Sequence, residues 1–372
     1  MKVLHVIVGL SLGGAESMLF RLISFTPEHE HIVVSLTDSG YIGSKIKGAG
    51  HVVLCLHLSS FNFVNAFWTL YKLIRKNQPD AIQTWMYHSD LIGGVLGRLA
   101  GVRKIIWNIR NTEIPQSRFS RTYVVLKICS LASRSLPHEI ICNSNAGLES
   151  HSALGYERKR MLVIPNGYDA SVWNPALYDR ASLRRKYGLP QDAFIIGMIG
   201  RHDRLKGYDD FIKAAALLAE KRLDYTLFFG VGRGVNHDNP EFNKLISKYG
   251  KNAEFKLIDE QSDIAEIMAT LDVFCLSSKA EGFPNVVAEA MLMKIPCVVT
   301  DVGDASVIVG NTGIIVPPCN QQALADAFLE MIEMSSQERL SRGVSARQRI
   351  IEHYDIQDVA QRYTAIYCTN EC

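Results

Sequence analysis

The chain alternates short apolar runs with longer amphipathic segments along nearly its whole length. Thirteen apolar runs, from KVLHVIVGL near the start to GIIVPP near residue 315, have the length and the branched side chains of buried strands. Segments such as FVNAFWTLYKLIRKN lie between these runs and carry apolar residues at helical spacing. The alternation predicts parallel sheets covered by helices, an α/β fold.

One stretch interrupts the alternation and divides the chain. Residues 168–191 contain turn residues and no predicted strand, so we interpret them as a linker. A chain of 372 residues is too long for one ordinary core, which favours two domains. We predict a first Rossmann-like domain over residues 1–175 and a second over residues 176–354. Two doubly wound domains would face a central cleft, with ligands at the carboxyl ends of the strands.

The composition is that of a cytoplasmic globular protein. Hydrophobic residues make up 47% of the chain and charged residues 21%, and no apolar window is long enough for a membrane span. His5 interrupts the apolar start, and no cleavage site follows it, so we predict a buried strand there and no signal peptide. The eight cysteines form no CxxC motif and no zinc-binding cluster, as is typical of a reducing compartment.

The positive and negative charges are distributed unevenly between the two halves. The first 190 residues contain 22 Lys and Arg against 12 Asp and Glu, whereas the remaining residues contain 18 against 26. A basic first half favours an anionic partner, such as a lipid surface or a phosphorylated acceptor. Two solvated surfaces of unequal composition are the alternative.

Two polar loops that follow predicted strands could bind an anion. Gly13 and Gly14 in GLSLGGAE permit close approach of the backbone and lead into a helix N-terminus, although a tight turn explains both glycines equally well. Arg201 and Lys206 in GRHDRLKGYDDF place two long cations at the end of a strand, which suits a diphosphate. A solvated basic loop, paired with its own acids, is the alternative for the second loop.

A third loop, SSKAEGFPNVVAEAM, contains two acids in an otherwise small and apolar run. Pro284 suits the first position of a helix, so Glu281 would precede that helix and Glu289 would lie in its second turn. Three backbone N–H groups near the start of this helix would point into the cleft, those of Gly282, Phe283 and Asn285. A diphosphate repels carboxylates, so the two acids should face sugar hydroxyls. Together the loops suit a nucleotide-sugar, with Glu281 as a helix-capping acid as the alternative.

These motifs together resemble those of glycosyltransferase family 4, whose members are retaining enzymes with the GT-B fold. The matching stretches are S-x-x-EGFPNVVAEAM, G-R-x4-K-G at 200–207, the early GGAE, and VIPNG at 163–167. They cover nearly the whole chain in the order and spacing of the family. The resemblance implies a GT-B fold in which a C-terminal helix over residues 355–368 crosses back onto the first domain.

The resemblance also implies roles on the donor side. Glu281 would bind hydroxyls of the donor sugar with the backbone of Gly282 and Phe283 beside it, and Glu289 would bind the ribose. Arg201 and Lys206 would bind the diphosphate. Asn285, at the start of the helix, completes the donor-binding set that we predict in the second domain.

Two further matches lie in the predicted first domain. Gly13 and Gly14 resemble the loop that lies beside the phosphate and the acceptor. His88 in QTWMYHSDLIGG corresponds to a histidine close to the reacting carbon, whereas a helix-capping or core histidine is the alternative. We therefore predict a catalytic set consisting of Glu281, His88, Arg201 and Lys206.

The predicted reaction transfers a hexose from a UDP-sugar or GDP-sugar with retention at the anomeric carbon. Arg201, Lys206 and helix N–H groups could stabilise the departing diphosphate without a metal, so we predict no metal and no cofactor. The resemblance implies that the leaving phosphate accepts the proton of the attacking acceptor. Closure of the cleft should exclude water from the donor.

The acceptor should lie against the first domain. Residues 103–134 contain seven Lys and Arg and one acid, interleaved with Trp107, Phe119 and Tyr123. A glycan or lipid-linked acceptor at the anionic inner face of the plasma membrane fits this stretch, in surface polysaccharide or lipopolysaccharide assembly. A basic helix that covers its own sheet is the alternative.

Two rival functions stay open from the sequence. A nucleotide-sugar epimerase of the same fold would release UDP and a free sugar without an acceptor. A non-catalytic sugar-nucleotide-binding subunit would be expected to lose at least one of Arg201, Lys206 and Glu281, all of which are present. A dehydrogenase is disfavoured because no GxGxxG motif follows the first strand, and nucleic-acid binding has only the basic first half in its favour.

Overall fold

A computed structural model describes residues 1–59, 61–115, 117, 119–221, 226–250 and 252–369. Gln116 and Arg118, which belong to the basic stretch at 103–134, lie outside the described residues. Contacts within the chain define two compact units. The first unit comprises residues 1–168 and the C-terminal residues from 354 onward, and the second comprises residues 169–353. The sequence analysis places the boundary after residue 175.

Every apolar run that was predicted to be a strand contains one. The strands are β1 Lys2–Ile7, β2 Glu30–Ser35, β3 Val52–Cys55, β4 Ala81–Trp85, β5 Lys104–Ile109, β6 Glu139–Cys142, β7 Met161–Val163, β8 Phe194–Ile199, β9 Thr226–Val231, β10 Glu254–Ile258, β11 Val273–Leu276, β12 Cys297–Thr300 and β13 Ile314–Val316. The paired strands are parallel in both sheets, as the alternation of strands and helices predicts.

Helices lie between successive strands, and among the described residues three more follow the last strand. They are α1 Gly14–Ser24, α2 Gly40–Gly48, α3 Phe63–Asn77, α4 Tyr87–Leu99, α5 Arg121–Ala132, α6 Asn145–Leu154, α7 Arg180–Lys186, α8 Tyr208–Lys221, α9 Pro240–Tyr249, α10 Ile264–Ala269, α11 Asn285–Leu292, α12 Ala305–Val309, α13 Gln321–Glu333, α14 Ser336–Tyr354 and α15 Ile356–Cys368. In the described part of the chain, no helix combines the length and the apolar character that crossing a membrane requires.

The first unit contains a sheet with the strand order β3-β2-β1-β4-β5-β6-β7. Side chains of β1 alternate between its faces, so Val3 and Ile7 pack in a cluster with α1, α2 and α15, whereas Leu4 and Val6 pack with α3 and α4. The strand order reverses direction between β1 and β4. The loops that follow these two strands therefore meet at a topological switch point, where α/β sheets bind ligands.

The C-terminal helix α15 belongs to the first unit, as the resemblance implies. Its Tyr363 and Tyr367 are buried, and their hydroxyl groups donate to Asn108 and Gln83 of the sheet. Where the chain returns to the first unit, the amide of Ile356 donates to the carbonyl of Tyr168 over 3.0 Å. The Tyr side chains of α15 therefore pack against the sheet of the first unit.

The second unit contains a sheet with the strand order β10-β9-β8-β11-β12-β13. Its core is rich in aromatic side chains, among which Phe211 of α8, Phe228 of β9 and Phe328 of α13 lie edge to face or tilted against one another. The strand order reverses between β8 and β11. The loops after β8 and β11 are the two that contain Arg201, Lys206 and Glu281.

The predicted linker is partly helical, which the sequence analysis did not anticipate. Within residues 168–191, Asp179 caps helix α7 by accepting from the amide of Ala181 over 3.2 Å. Arg184 of this helix is buried, donates to the carbonyl of Thr270 and lies 2.8 Å from Asp272. These contacts hold the helix against the second unit. The turn residues in the sequence did not indicate this helix, because its stability depends on a buried arginine that contacts a distant part of the chain.

Candidate functional site

The loop after β8 is a tight turn that leads directly into α8. Asp203 caps a short 3-10 turn at 204–206 by accepting from the amide of Leu205 over 2.9 Å. This hydrogen bond and the adjacent Arg201 hold the pKa of Asp203 below its usual value. Gly207 follows with a φ of 72°, in the left-handed region that favours glycine. The turn therefore returns Lys206 towards the sheet.

The loops after β8 and β11 are joined by backbone contacts. The amide of Lys279 donates to the carbonyl of Leu205 over 2.7 Å. The hydroxyl of Ser277 donates to the carbonyl of Gly207 over 3.0 Å. A Cβ atom on Gly207 would lie 2.0 Å from the carbonyl oxygen of Ser277. This close approach of the two backbones therefore requires glycine at position 207.

We expect Gly207→Ala to destabilise the second unit by at least about 3 kcal/mol, because it combines a left-handed backbone cost with a clash against a carbonyl. Gly188→Ala is the matched control in the same unit. Gly188 has a φ of 63°, but a Cβ atom there would meet only the amine end of Lys256 at 3.4 Å, so about 1 kcal/mol should be lost. Urea unfolding followed by circular dichroism measures both, and equal losses would contradict the packing argument.

The structure brings Lys206 and Glu281 into direct contact. The Nζ atom of Lys206 lies 2.6 Å from Oε1 of Glu281, and the hydroxyl of Ser278 donates to the same oxygen over 2.6 Å. The exposed fraction is 26% for the side chain of Lys206 and 11% for that of Glu281. The sequence analysis assigned the lysine to phosphate and the acid to sugar hydroxyls, and it did not anticipate that they pair with each other.

This ion pair changes the electrostatics of the site. A bare carboxylate would repel a diphosphate, but an ammonium group 2.6 Å away offsets much of that repulsion. Lys206 has three N–H donors, so it can contact Glu281 and phosphate oxygens together. The pair can therefore bind a ligand at the point where a sugar is joined to a diphosphate.

Glu281 is not the cap residue of the helix that follows it. Helix α11 begins at Asn285, and its cap residue is Pro284, whose side chain makes no capping hydrogen bond. Pro284 was predicted to be the first residue of the helix, but the helix begins one residue later. The position is a cap because its backbone, with a ψ of 95°, is still extended. Glu281 lies three residues earlier and contacts side chains of the two loops instead.

The remaining predicted donor residues lie along the same loop and helix. Phe283 is buried, Gly282 and Asn285 are half-buried, and Glu289 is half-buried in the second turn of α11, as predicted. Arg201 is 64% exposed, with its Nε atom 3.2 Å from Oδ2 of Asp203 in the same loop. Arg201 thus forms one of the pairs expected of a solvated loop. Its role in binding a diphosphate stays a prediction.

The loop after β12 also supports Glu281, and the sequence analysis missed it. The amide of Asp304 donates to the carbonyl of Gly282 over 2.9 Å. Gly303 has a φ of 56°, and a Cβ atom there would lie 2.4 Å from the carbonyl oxygen of Glu281. The hydroxyl of Thr300 donates to the carbonyl of Ser278 over 2.7 Å. The signal was present in VVTDVGDAS, where a turn sequence follows a buried strand.

In the first unit, the glycine loop after β1 leads into a helix, as predicted. Gly13 is the cap residue of α1, which begins at Gly14. A Cβ atom on Gly13 would lie 2.3 Å from a carboxylate oxygen of Glu16, the half-buried acid in the first turn of the helix. Burial raises the pKa of Glu16. The roles of both glycines beside a phosphate stay predictions.

His88 lies in the first turn of α4, a helix that a single residue links to β4. The side chain of His88 is half-buried, which lowers its pKa, and the cap residue of the helix is Met86. Met86 has a φ of 72°, unusual for a residue with a side chain. His88 therefore neither caps the helix nor lies in the core. Its role near a reacting carbon stays a prediction.

Tyr87, the neighbour of His88, has a structural role. It is buried, and its hydroxyl lies 2.8 Å from Nε2 of His151. Because Nδ1 of His151 donates to the carbonyl of Gly147 over 2.7 Å, Nε2 accepts from Tyr87. Burial raises the pKa of Tyr87 and lowers that of His151, consistent with a neutral pair.

Asp90 is a further buried acid in the first turn of α4, and the sequence analysis did not single it out. Its Oδ1 atom accepts from the hydroxyl of Thr84 over 2.6 Å, whereas its Oδ2 atom has no hydrogen-bond partner among the described residues. Burial raises the pKa of Asp90 to about 7. Asp90 fixes the end of β4 against the helix that presents His88. In the described part of the chain, no group of three or more His, Cys, Asp or Glu side chains could hold a metal ion.

Two family models match the chain in succession. The model described as "Glycosyltransferase Family 4" matches residues 12–172, and the model described as "Glycosyl transferases group 1" matches residues 179–349. The chain belongs to glycosyltransferase family 4. Its fold class is GT-B, which agrees with the two parallel sheets and with the C-terminal helix α15 on the first unit.

The chain is similar in sequence to bacterial glycosyltransferases. The chain is 25% identical over 318 residues to the Escherichia coli UDP-Gal:alpha-D-GlcNAc-diphosphoundecaprenol alpha-1,3-galactosyltransferase, covering 83% of this chain and 82% of that protein. It is 23% identical over 325 residues to the Staphylococcus aureus capsular polysaccharide biosynthesis glycosyltransferase CapM, covering 84% and 82%.

Solved structures with the same fold cover almost the whole chain. Anabaena Alr3699/HepE in complex with UDP and glucose superposes with a TM-score of 0.83 at 23% identity, over 98% of both chains. WaaG, a glycosyltransferase of lipopolysaccharide biosynthesis, superposes with a TM-score of 0.77 at 16% identity, over 99% of this chain and 100% of that chain. At these identities, the likeness shows the fold.

Proposed function

We propose that this family 4 glycosyltransferase transfers a hexose from a UDP-sugar to a lipid-linked glycan acceptor, with retention at the anomeric carbon. The observation that carries the proposal is the contact of Lys206 with Glu281 at the switch point of the second sheet, with Ser278 on the same carboxylate oxygen. A cation and an acid held together suit a ligand whose anionic and hydroxylated parts are adjacent. A nucleotide-sugar has this arrangement.

The choice of donor and acceptor classes draws on relatives. The Escherichia coli relative takes UDP-Gal as its donor and a diphosphoundecaprenol-linked sugar as its acceptor, according to its name. The HepE structure contains UDP and glucose. We extend both classes to this chain, for assembly of a surface polysaccharide or lipopolysaccharide. Peripheral association of the basic first unit with an anionic membrane is part of the same proposal.

The proposed mechanism needs no metal and no cofactor. Lys206, Arg201 and the N-terminal end of α11 would stabilise the negative charge that develops on the departing diphosphate. Glu281 would hold hydroxyl groups of the hexose and thereby orient the anomeric carbon. The acceptor hydroxyl would attack from the face that the diphosphate leaves, and the phosphate oxygen would take the proton. His88 is proposed to lie near the reacting carbon.

The test combines ligand binding with turnover. UDP at about 100 times its dissociation constant should stabilise the protein by roughly 2.7 kcal/mol, which a thermal-shift screen against UDP, GDP and their sugars detects. Release of UDP from the UDP-sugar that binds should depend on a polyprenyl-diphosphate-linked saccharide. Nuclear magnetic resonance of the product should show the anomeric configuration of the donor. Equal UDP release without any acceptor would contradict transfer and favour the epimerase, and an inverted product would contradict retention.

A further inference from the structure

A cavity of about 440 Å³ lies at helices α8 and α9 of the second unit. Its walls comprise residues 202–204 of the loop after β8, the first residues of α8, one side of α9, and Lys279 from the loop after β11. We call it the α8–α9 cavity. Its volume is within the range of about 300–1,000 Å³ that is usual for small-molecule sites. Arg201, Lys206 and Glu281 are not among its lining residues, so it is separate from the predicted donor residues.

The turn at 204–206 contributes to both the α8–α9 cavity and the predicted donor residues. Arg204 lines the cavity, whereas the Nζ atom of Lys206, two residues later, lies 2.6 Å from the carboxylate of Glu281. Lys279 joins the cavity to the same turn, because its amide donates to the carbonyl of Leu205 over 2.7 Å. A ligand in the cavity would therefore contact the turn that also carries Lys206.

Positively charged side chains converge on the cavity from three elements. Arg204 lies in the turn, Lys244 and Lys248 lie one helical turn apart on α9, and Lys279 lies in the loop after β11. Among the described residues, Arg204, Lys244 and Lys248 form no ion pair. Like charges four residues apart destabilise a helix slightly, so α9 gains no stability from this pair of lysines. The arrangement is that of a site for an anion.

The acids that line the cavity do not neutralise these cations. Asp209 lies 2.8 Å from the amine of Lys279 and 3.5 Å from that of Lys213, so it is shared between two other lysines. Asp203 caps the turn. Glu241, in the first turn of α9, has no ion-pair partner within the described ranges. A ligand would therefore meet an excess of positive charge and one carboxylate that can accept hydrogen bonds.

His202 provides a hydrogen-bond donor in the cavity wall. The Oδ1 atom of Asn239 accepts from the amide of Glu241 over 3.0 Å, so its Nδ2 atom donates to Nδ1 of His202 over 3.1 Å. The neutral ring of His202 then carries its proton on Nε2. This N–H group has no hydrogen-bond partner in the part of the chain that the structure describes, so it can donate to a ligand.

The aromatic rings of the cavity do not offer a free face for a nucleobase. Tyr208 is buried, and Phe242 packs edge to face against it. The amines of Lys213 and Lys248 lie 4.8 and 4.7 Å from the ring centre of Tyr249. Bases are usually bound by stacking on an open aromatic ring, so these contacts disfavour a nucleotide in the cavity.

We propose that the α8–α9 cavity binds a hexose phosphate. The phosphate would accept charge-assisted hydrogen bonds from Arg204, Lys244 and Lys248. The sugar hydroxyls would donate to the carboxylate of Glu241 and accept from Nε2 of His202. This ligand is additional to the donor and the acceptor of the proposed function.

Calorimetric titration of the full chain, with and without saturating UDP, tests the site. Glucose 6-phosphate should bind in both conditions, at least about 10-fold more tightly than inorganic phosphate or glucose, because each of these lacks one set of contacts. Displacement by UDP would place the ligand at the donor residues and overturn the proposal. Inorganic phosphate or uridine monophosphate that binds the UDP-saturated protein as tightly as glucose 6-phosphate would overturn the choice of a sugar.

Substitution of the two lysines of α9 tests the phosphate contacts. Lys244→Gln with Lys248→Gln should lower the affinity for glucose 6-phosphate by at least about 10-fold. The matched control, Arg185→Gln with Lys221→Gln, removes two exposed cations of the same unit that do not line the cavity, and it should bind like wild type. Equal losses in the two double variants would show a general effect of charge and would overturn the proposal.

Alanine at Glu241 tests the sugar contacts. It should reduce the preference for glucose 6-phosphate over inorganic phosphate, because the hydroxyls lose an acceptor while the phosphate loses a repelling charge. An unchanged preference would contradict the placement of the sugar. The UDP thermal shift, measured without a sugar phosphate, should be the same in all these variants as in wild type. Glucose 6-phosphate binding without any UDP binding would refute the proposed donor and leave this site standing.

Discussion

Alanine at Glu281 is expected to lower the rate of sugar transfer by at least about 100-fold while UDP binds as tightly as before or more tightly. The substitution removes the group proposed to hold the sugar. It also frees the Nζ atom of Lys206, which lies 2.6 Å from the Glu281 carboxylate. Transfer assays and calorimetric titration with UDP measure the two effects separately.

Alanine at the partner residue, Lys206, should have the opposite effect on UDP affinity. Lys206→Ala removes a phosphate contact and leaves the Glu281 carboxylate unpaired beside the diphosphate, so UDP affinity should fall by about 30-fold, roughly 2 kcal/mol. The double variant should bind UDP more tightly than Lys206→Ala alone, because the repelling charge is gone. The two substitutions are therefore expected to be non-additive, as side chains in contact usually are.

An ion pair elsewhere in the second unit supplies the control. Lys221 and Asp326 also lie 2.6 Å apart, but on the exposed surfaces of α8 and α13. Asp326→Ala should leave transfer and UDP binding unchanged. If Glu281→Ala weakened UDP binding and transfer to the same extent, the acid would contribute to nucleotide binding and its assigned role on the sugar would be wrong.

The sequence predicted the loops of the second unit better than the contacts between their side chains. Arg201, Lys206 and Glu281 follow strands, and apolar runs predict strands well because burial on both faces leaves few polar positions. The Lys206–Glu281 contact joins residues 75 positions apart. It depends on the left-handed turn at Gly207 and on the loop after β12, and the turn sequence of that loop does not indicate which residues it contacts.

Residues with two competing interpretations were the hardest to predict. Pro284 fits both the cap and the first position of a helix, and only its extended backbone distinguishes them. Turn residues indicated a linker at 168–191, where Arg184 holds a short helix against the second unit. Asp90 lies in a helical first turn that also suits an exposed acid. At residues 168–191 and at Asp90, tertiary contacts decided the outcome.

A chain of hydrogen bonds between buried rings joins β1, β2 and β4, strands at and beside the switch point of the first unit. Nε1 of Trp85 donates to Nδ1 of His5 over 3.4 Å, so His5 carries its proton on Nε2. That atom lies 3.0 Å from Nδ1 of His31, which must accept, so Nε2 of His31 donates to the carbonyl of Thr26 over 3.1 Å. Each of the two histidine rings therefore donates once and accepts once, as a neutral imidazole does.

Protonation would break this chain of hydrogen bonds, because the nitrogen of each histidine that now accepts a hydrogen bond would become a donor. Burial lowers the pKa of His31 to about 4 and that of His5 well below its usual value, and each ring also opposes charge on neighbouring histidines. His51 and His29 lie near His31, with ring centres at 6.1 and 6.0 Å. Glu28, 3.5 Å from His29, is the acid that favours protonation in this group.

The first unit is therefore expected to lose stability as the pH falls below about 6.5, the pKa of an unfolded histidine. The folded-state pKa of His31 is lower than the unfolded one, so the unfolded chain binds more protons. Added acid therefore stabilises the unfolded state relative to the folded state. A pKa near 4 makes the free energy of unfolding about 2 kcal/mol lower at pH 5 than at pH 7.5 from His31 alone, with His5 adding to it. Urea unfolding followed by tryptophan fluorescence measures this loss, because Trp85 is part of the hydrogen-bonded chain of rings.

Glutamine at position 31 should flatten that acid loss, because its amide can accept from His5 and donate to Thr26 but does not titrate. The exposed His57 supplies a control in the same unit, and asparagine suits its φ of 50°. His57→Asn should keep the wild-type slope of the free energy of unfolding against pH. In His31→Gln that slope should be smaller, by an amount that corresponds to close to one proton bound on unfolding. A His31→Gln protein as acid-sensitive as wild type would show that the histidine chain does not set the acid limit of the unit that contains Gly13, Gly14 and His88.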